Sequence, residues 1–226
     1  MFVHIINREN VSCPVVMVIG TGNKQGKFTT QLRLKEVLEE EGYTTGFVST
    51  EPQGELFGAN FVYPYGYMST VKLKPIERLL LLRYIFRGVC EFIKPHIILT
   101  GGQGALIPET PLTSVPYLGA MDSVGMVYGS LPDIVVCAIN PDDSISYIKQ
   151  TVFLAQLYSK CKVAFYVMTP WNKSQRGKPT EDTYLTGELF NEKVDYFQKE
   201  LKAPVINIMD NRNNKLIVES IERICK

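Results

Sequence analysis

A chain of 226 residues, 45% hydrophobic and 21% charged, has the balance of an ordinary globular protein and enough length for one substantial core. With 24 basic and 23 acidic residues the net charge is +1, which argues against nucleic acid or an anionic membrane as a bulk partner. Cys13, Cys90, Cys137, Cys161 and Cys225 are scattered, odd in number and lack a C-x-x-C pair. That pattern speaks against a disulfide framework or a zinc site and for a reducing, cytoplasmic setting.

Taken in order, residues 1–14 carry Arg8 and Glu9 among short apolar stretches and do not read as a signal peptide. Phe2 to Ile6 predicts a short extra strand, and Val15 to Ile19 the first core strand. After a glycine-rich turn, Leu34, Val37 and Leu38 fall on one face of a helix, and Gly42 is its stop. Thr44 to Thr50 predicts a second strand, broken by Glu51-Pro52-Gln53-Gly54. An irregular stretch to Pro75 follows, with Phe57, Phe61, Tyr63, Tyr65 and Tyr67 either sealing against the body or walling a ligand site. Ile76 to Ile93 predicts a buried helix. Its aliphatic run Leu79 to Leu82, the longest in the chain, is far too short to span a bilayer.

Pro95 to Thr100 predicts a third strand, Leu118 to Tyr128 a glycine-weakened helix and Ile134 to Ile139 a fourth strand. Ser144 to Ser159 predicts a helix capped by Asp142 or Asp143. Then come a strand (Val163 to Met168), a polar loop (Thr169 to Thr183), a helix (Gly187 to Leu201), a strand (Val205 to Met209) and a last helix (Lys215 to Ile224). Strands alternating with helices predict an α/β fold: one P-loop-like domain over 1–226, with 1–14 a short extension. Its mostly parallel sheet is covered on both faces, with ligands at the strands' carboxyl ends.

The informative stretch is Gly20-Thr21-Gly22-Asn23-Lys24-Gln25-Gly26-Lys27-Phe28-Thr29-Thr30. Strand, glycine-rich turn and helix, with Gly-Lys at the junction, is the architecture of a phosphate-binding loop. Backbone N–H groups curl inward at one anion, the helix start adds partial positive charge, and Lys27 adds a full one. All of residues 20–30 are therefore candidate ligand-binding positions. The strict pattern has glycine where Thr21 stands and Ser or Thr where Phe28 stands.

Other candidates follow the remaining strands. Glu51 and Gln103 are the candidate catalytic groups, Gln103 sitting between Gly102 and Gly104. Asn172 is a candidate base-binding residue, because Asn172-Lys173-Ser174-Gln175 superficially resembles the Asn-Lys-x-Asp segment of small GTPases. Gln175, however, cannot accept two ring N–H groups as a carboxylate does. Arg176 and Lys178, in the loop after the fifth strand, either close over a phosphate or belong to a solvated basic loop. His4 and His96 form no constellation with their sequence neighbours. A nucleoside triphosphatase holds Mg²⁺ with a hydroxyl after the loop lysine and an acid at a core strand end. Phe28 and Thr100-Gly101 stand at those places, so the metal site is weakened and its ligands are unknown; Glu51 or Asp142 offers a carboxylate.

These residues carry a family resemblance. Gly20-Thr21, then Gly26-Lys27-Phe28-Thr29-Thr30, the Gly102-Gln103-Gly104 turn and the Leu131-Pro132-Asp133 step resemble the C-terminal P-loop domain of the D-glutamate N-acetyltransferase family. The resemblance runs from Val15 to about Thr169; more distantly, the Gly-Thr opening resembles dethiobiotin synthetase and related ligases. That family has an acid before its Gly-Gln-Gly-like turn, where this chain has Gly101, and Thr-Gly-Gln where this chain has Thr50-Glu51-Pro52-Gln53. It also carries a separate N-terminal Rossmann-like domain. The resemblance implies a P-loop fold, a phosphate site and acyl transfer from acetyl-CoA to an amine of an amino acid or peptide.

The functional reading stays open among three forms. One is a group-transfer enzyme, or its binding subunit, that anchors ATP, GTP or acetyl-CoA by the phosphates with little demand for Mg²⁺. The second is an ATP- and Mg²⁺-dependent kinase or ligase. The third is a non-catalytic nucleotide-binding partner of another protein. A homo-oligomer or a partner protein is expected in each, with a small molecule as substrate.

Overall fold

The computed structural model describes residues 11–64, 71, 73–108, 115–172 and 183–226. The predicted strand over Phe2 to Ile6, with His4, lies outside them, as do Tyr65, Tyr67, Lys173, Gln175, Arg176 and Lys178.

Val15 to Ile19 is apolar at every position, the pattern of a strand buried on both faces. It forms β1 (Val15–Gly20), wholly buried at the centre of a seven-stranded sheet. The others are β2 (Thr45–Ser49), β3 (Phe61–Val62), β4 (Ile97–Gly101), β5 (Ile134–Ile139), β6 (Lys162–Met168) and β9 (Val205–Ile206). Their order is β3-β2-β4-β1-β5-β6-β9, and every neighbouring pair is parallel. A separate two-stranded antiparallel ribbon joins β7 (Trp171–Asn172) to β8 (Thr183–Tyr184). The α-helices among the described residues are α1 (Lys27–Glu40), α2 (Pro75–Ile93), α3 (Val115–Ser130), α4 (Ile145–Ser159), α5 (Gly187–Leu201) and α6 (Asn214–Cys225).

The period of two along each strand splits the core into two layers. Val15, Met17 and Ile19 join Leu82, Phe86, Val127, Ile148 and Phe197 beneath α2, α3, α4 and α5. Val16 and Val18 join Leu34, Leu38, Phe47, Phe165, Ile217 and Ile221 beneath α1 and α6. The helices that follow the adjacent strands β1 and β5 thus lie on opposite faces. A crevice opens between their first turns at the carboxyl edge, where open α/β sheets take ligands. That crevice fixes where the chemistry has to be sought.

The differences from expectation are local. The segment after β2 is a short 3-10 helix, Pro52–Phe57, followed by β3 rather than wholly irregular chain. Helix α3 is longer than predicted, because tertiary packing overrides the glycines' low helix propensity. Strand β9 is shorter than predicted, since only Val205 and Ile206 find partners on β6. The cap of α4 is Ser144, whose hydroxyl accepts from the Tyr147 N–H, and not Asp142 or Asp143. Among the described residues no helix is long and apolar enough to cross a membrane.

Candidate phosphate site

The loop after β1 is tied to β5 at its first residue, where the Thr21 N–H donates to the Ala138 carbonyl at 3.0 Å. Thr21 is fully buried; its hydroxyl donates to the Asp143 carboxylate and accepts from Gln25 Nε2 at 2.7 Å. Gln25 Oε1 in turn accepts the Gly22 N–H at 2.8 Å, so one side chain clamps both ends of the turn. Asp143 also accepts the Asn140 N–H at 2.7 Å, and the Tyr147 hydroxyl reaches Thr21 O at 2.8 Å and Ile107 O at 3.1 Å. The side chains of Gln25 and Lys27 cross over Gly20: a Cβ there would lie 3.0 Å from Gln25 Oε1 and 3.1 Å from Lys27 Cδ. Asn23 and Lys24 sit exposed at the crest, and Lys24 holds φ at 56°.

The chain enters α1 through Gly26 in the left-handed region, with no side chain capping the helix and no acid in its first turn. The first helical bond runs from the Thr30 N–H to Gly26 O, at 2.8 Å. The residues before it, Lys27, Phe28 and Thr29, form the first turn, where a helix start directs its N–H groups outward along the axis. Lys27 Nζ donates across the loop to Gly22 O at 2.6 Å, which places its charge over the same spot. Thr30 is buried and returns its hydroxyl to Gly26 O at 2.9 Å, whereas Thr29 is exposed beside the amides. Donors, dipole and lysine converge on one point, the arrangement that binds an anion.

The remaining candidates surround this point. Glu51, directly after β2, is half-buried; desolvation raises its carboxyl above the ordinary range, against an opposing pull from the Lys27 charge. Gln103 donates through Nε2 to Thr50 O at 2.7 Å and ties the turn after β4 to the end of β2. Asn172 accepts from Asn140 Nδ2 at 2.7 Å and donates to Asp142. Asp142 also faces Lys193 at 3.7 Å. Away from the loop, His96 Nδ1 accepts the Thr44 N–H at 2.9 Å and its ring meets Tyr43 edge-on. Tyr63 is buried, with its hydroxyl on Arg78 O, so that aromatic seals against the body.

Both departures from the strict pattern have a packing reason. Phe28 meets Phe57 edge-to-face, with ring centroids 5.8 Å apart, and so docks the 3-10 helix on α1. Gly101 gives Gln31 its room: a Cβ at 101 would lie 2.1 Å from Gln31 Nε2, so the end of that side chain would have to move. The Gln31 side chain therefore fills the strand-end place where such enzymes keep an acid, with its Oε1 buried and unpartnered. Among the described residues, no group of three or more His, Cys, Asp or Glu side chains gathers into a metal site. The donors that hold a triphosphate's Mg²⁺ do not fit here, since an aromatic ring and an amide occupy their two places.

Sequence reading missed three parts of this arrangement. Gln31 looks like an ordinary helix residue until Gly101 is seen against it. Asp143 reads as a helix cap, and the partner of Tyr147, Thr21, lies 126 residues away. Two buried polar residues placed just after β5 were the available signal.

Comparison with known proteins agrees with this geometry. A family model described as a domain of unknown function, the DUF1611 C-terminal P-loop domain, matches residues 4–79. The crystal structure of a DUF1611 family protein from Anabaena variabilis aligns over 95% of this chain, with a TM-score of 0.69 and 14% identity. The present chain spans 58% of that protein's length. A nucleotide-binding protein from Archaeoglobus fulgidus, in complex with ADP, aligns over 95% of this chain and 92% of its own, with a TM-score of 0.54 and 15% identity. No curated protein matches. At these identities the likeness is one of fold, and the fold is that of P-loop proteins.

Two outcomes follow. Gly101→Asp should destabilise the protein by roughly 1–3 kcal/mol through overpacking, and adding Gln31→Ala should recover much of the loss. Equal urea midpoints for Gly101→Asp and the parent would contradict this account of the strand end. Glu51→Gln should stabilise the fold at pH 7, because a carboxyl whose folded-state pKa is raised costs stability once pH rises through its titration range. The gain should vanish below the ordinary glutamate value of 4.5. Urea unfolding at several pH values measures it, and a gain that grows on acidification would refute the assignment.

Proposed function

We propose that this chain binds the phosphates of a nucleotide, or of coenzyme A, on residues 20–30 and serves a group-transfer reaction beside them. One observation carries the reading: a helix start with no side-chain cap and no acid in its first turn, beside the Lys27 charge, in a loop braced by Gln25, Asp143 and Tyr147. The ADP-bound Archaeoglobus protein shares the fold, which supports a nucleotide as the class of ligand.

Glu51 and Gln103 are the groups assigned to the transfer. Glu51 is half-buried near Lys27, and its carboxylate accepts a proton from an amine or hydroxyl acceptor as that group attacks. The proton goes to the carboxylate, the new bond forms to the group being transferred, and that group's bond to the nucleotide's phosphate oxygen or to the coenzyme A sulfur breaks, the leaving group departing with the electron pair. Lys27 offsets negative charge that builds on the phosphate side. Gln103, anchored to Thr50 O, holds the turn after β4 at the edge of the same site. Phosphate recognition by amides and lysine needs no metal ligand from Phe28 or Gly101, which is why nucleotide and acetyl-CoA both suit this loop.

Calorimetry with ADP, ATP, GTP and acetyl-CoA, with and without EDTA, tests the proposal. At least one should bind, and Lys27→Ala should weaken it tenfold or more, about 1.4 kcal/mol. No binding of any of the four, or unchanged affinity in the Lys27 variant, would overturn the phosphate reading. Binding that collapses in EDTA would favour the Mg²⁺-dependent kinase or ligase instead.

A further inference from the structure

Helix α4 is apolar on two sides. Ile148, Val152 and Ala155 lie in the core, while Phe153 and Leu157, one turn apart on the opposite side, are each 63% exposed. A helix that is apolar all round is suited to being covered all round, and the described residues cover α4 on one side. Helix α3, beside it, repeats the pattern. Met126 and Val127 are in the core, and Met121 and Tyr128 stand exposed two turns apart. Tyr128 meets Tyr158 of α4 edge-on, with ring centroids 6.2 Å apart, which joins the two exposed stripes into one patch.

The patch is nearly free of charge. Along α3 and α4 the charged residues are Asp122 and Lys149, and Asp122 is paired with Arg78 at 2.9 Å. Helix α5, by contrast, interrupts its exposed Leu189 and Tyr196 with Glu188, Glu192, Asp195 and Lys199. At roughly 150–250 Å² per large side chain, the exposed parts of Met121, Tyr128, Phe153, Leu157 and Tyr158 amount to about 500 Å². A stable contact buries about 800 Å² on each partner, so the patch supplies most of one. Between Met121 and Tyr128, Gly125 leaves a dent: a Cβ there would meet nothing within 4 Å among the described residues. Glycine weakens a mid-helix position relative to alanine, and packing within the chain does not ask for it here.

We propose that α3 and α4 form the contact face of a homodimer, a second copy of this chain packing on the patch about a twofold axis. The Phe153 ring of each copy is the projection that fits the Gly125 dent of the other. A twofold contact sets one patch against itself, which suits a surface whose like charges are few and whose one acid is already paired. A different protein is selected by complementary charge, and this face has little to offer one. A lipid surface is met by a basic flank, whereas α4 exposes Lys149 among Ser146, Gln150 and Gln156. Leu157 lies about 15 Å along α4 from Tyr147, the brace of the phosphate loop. The contact and the phosphate site therefore stand or fall separately.

Sedimentation of the full chain over roughly 1–100 µM tests the proposal. The parent should form a dimer in that range. Phe153→Glu should weaken dimerisation at least a hundredfold, because a twofold contact repeats each substitution. Gly125→Leu, which fills the dent and favours the helix, should weaken it at least tenfold with the circular dichroism of the parent retained. A parent that stays monomeric throughout would overturn the proposal, and its flotation with phosphatidylcholine–phosphatidylserine vesicles would assign the patch to lipid instead. Dimerisation as tight as the parent's in both substituted proteins would place the contact elsewhere and overturn it equally.

Discussion

The site depends on one buried interaction, the Thr21 hydroxyl donating to the Asp143 carboxylate. A hydrogen bond to a buried charge is worth about 1.5–3 kcal/mol, and leaving either partner alone costs as much again in desolvation. This one joins the loop after β1 to the turn after β5, the two segments that flank the crevice. Gln25 and Tyr147 extend it on either side, so that side chains brace the curvature of the loop. In the proposed function the amides at the start of α1 face the ligand's phosphates. A loop braced by its own side chains gives up less entropy on binding than a loop that has to order itself.

The same economy explains the two places where the pattern of an Mg²⁺-dependent P-loop enzyme fails. Phe28 exchanges a hydroxyl for an aromatic contact that holds the 3-10 helix after β2 against α1. That contact anchors the segment beginning at Glu51, which stands close enough to Lys27 to feel its charge. Gly101 exchanges an acid for space, and Gln31 fills the space with a neutral amide. Each change removes a metal ligand and adds a packing contact. Together they shift the electrostatic balance of the site onto Lys27, the helix start and a single half-buried carboxylate.

Much of this was legible in the sequence. The apolar runs of β1, β5 and the latter part of β6 announce strands buried on both faces, and the order of elements announces a parallel sheet. Gly26-Lys27 between strand and helix announces the anion site. What could not be read are contacts between residues far apart in the chain. Thr21 meets Asp143 across 122 residues, and nothing local at either end signals it. Ser144 competes with its acidic neighbours for the cap of α4, and only the fold shows that Asp143 is occupied elsewhere. Gln31 and Gly101 become a pair only when α1 lies on β4. The sequence marks Asn172 as a candidate for base binding, but its tie to Asn140 emerges from the fold alone.

The central claim is that the amides of residues 26–29 form an anion site whose shape is set in advance by the Thr21, Gln25 and Asp143 network. Amide chemical shifts of the isotope-labelled protein, followed during titration with inorganic pyrophosphate, test it most directly. The account predicts large, saturating shifts for Gly26, Lys27, Phe28 and Thr29, with Thr21 and Asn140 little changed. Shifts absent from those four amides would contradict it, as would perturbation spread across the Thr21 and Asn140 region by a loop that rearranges to bind.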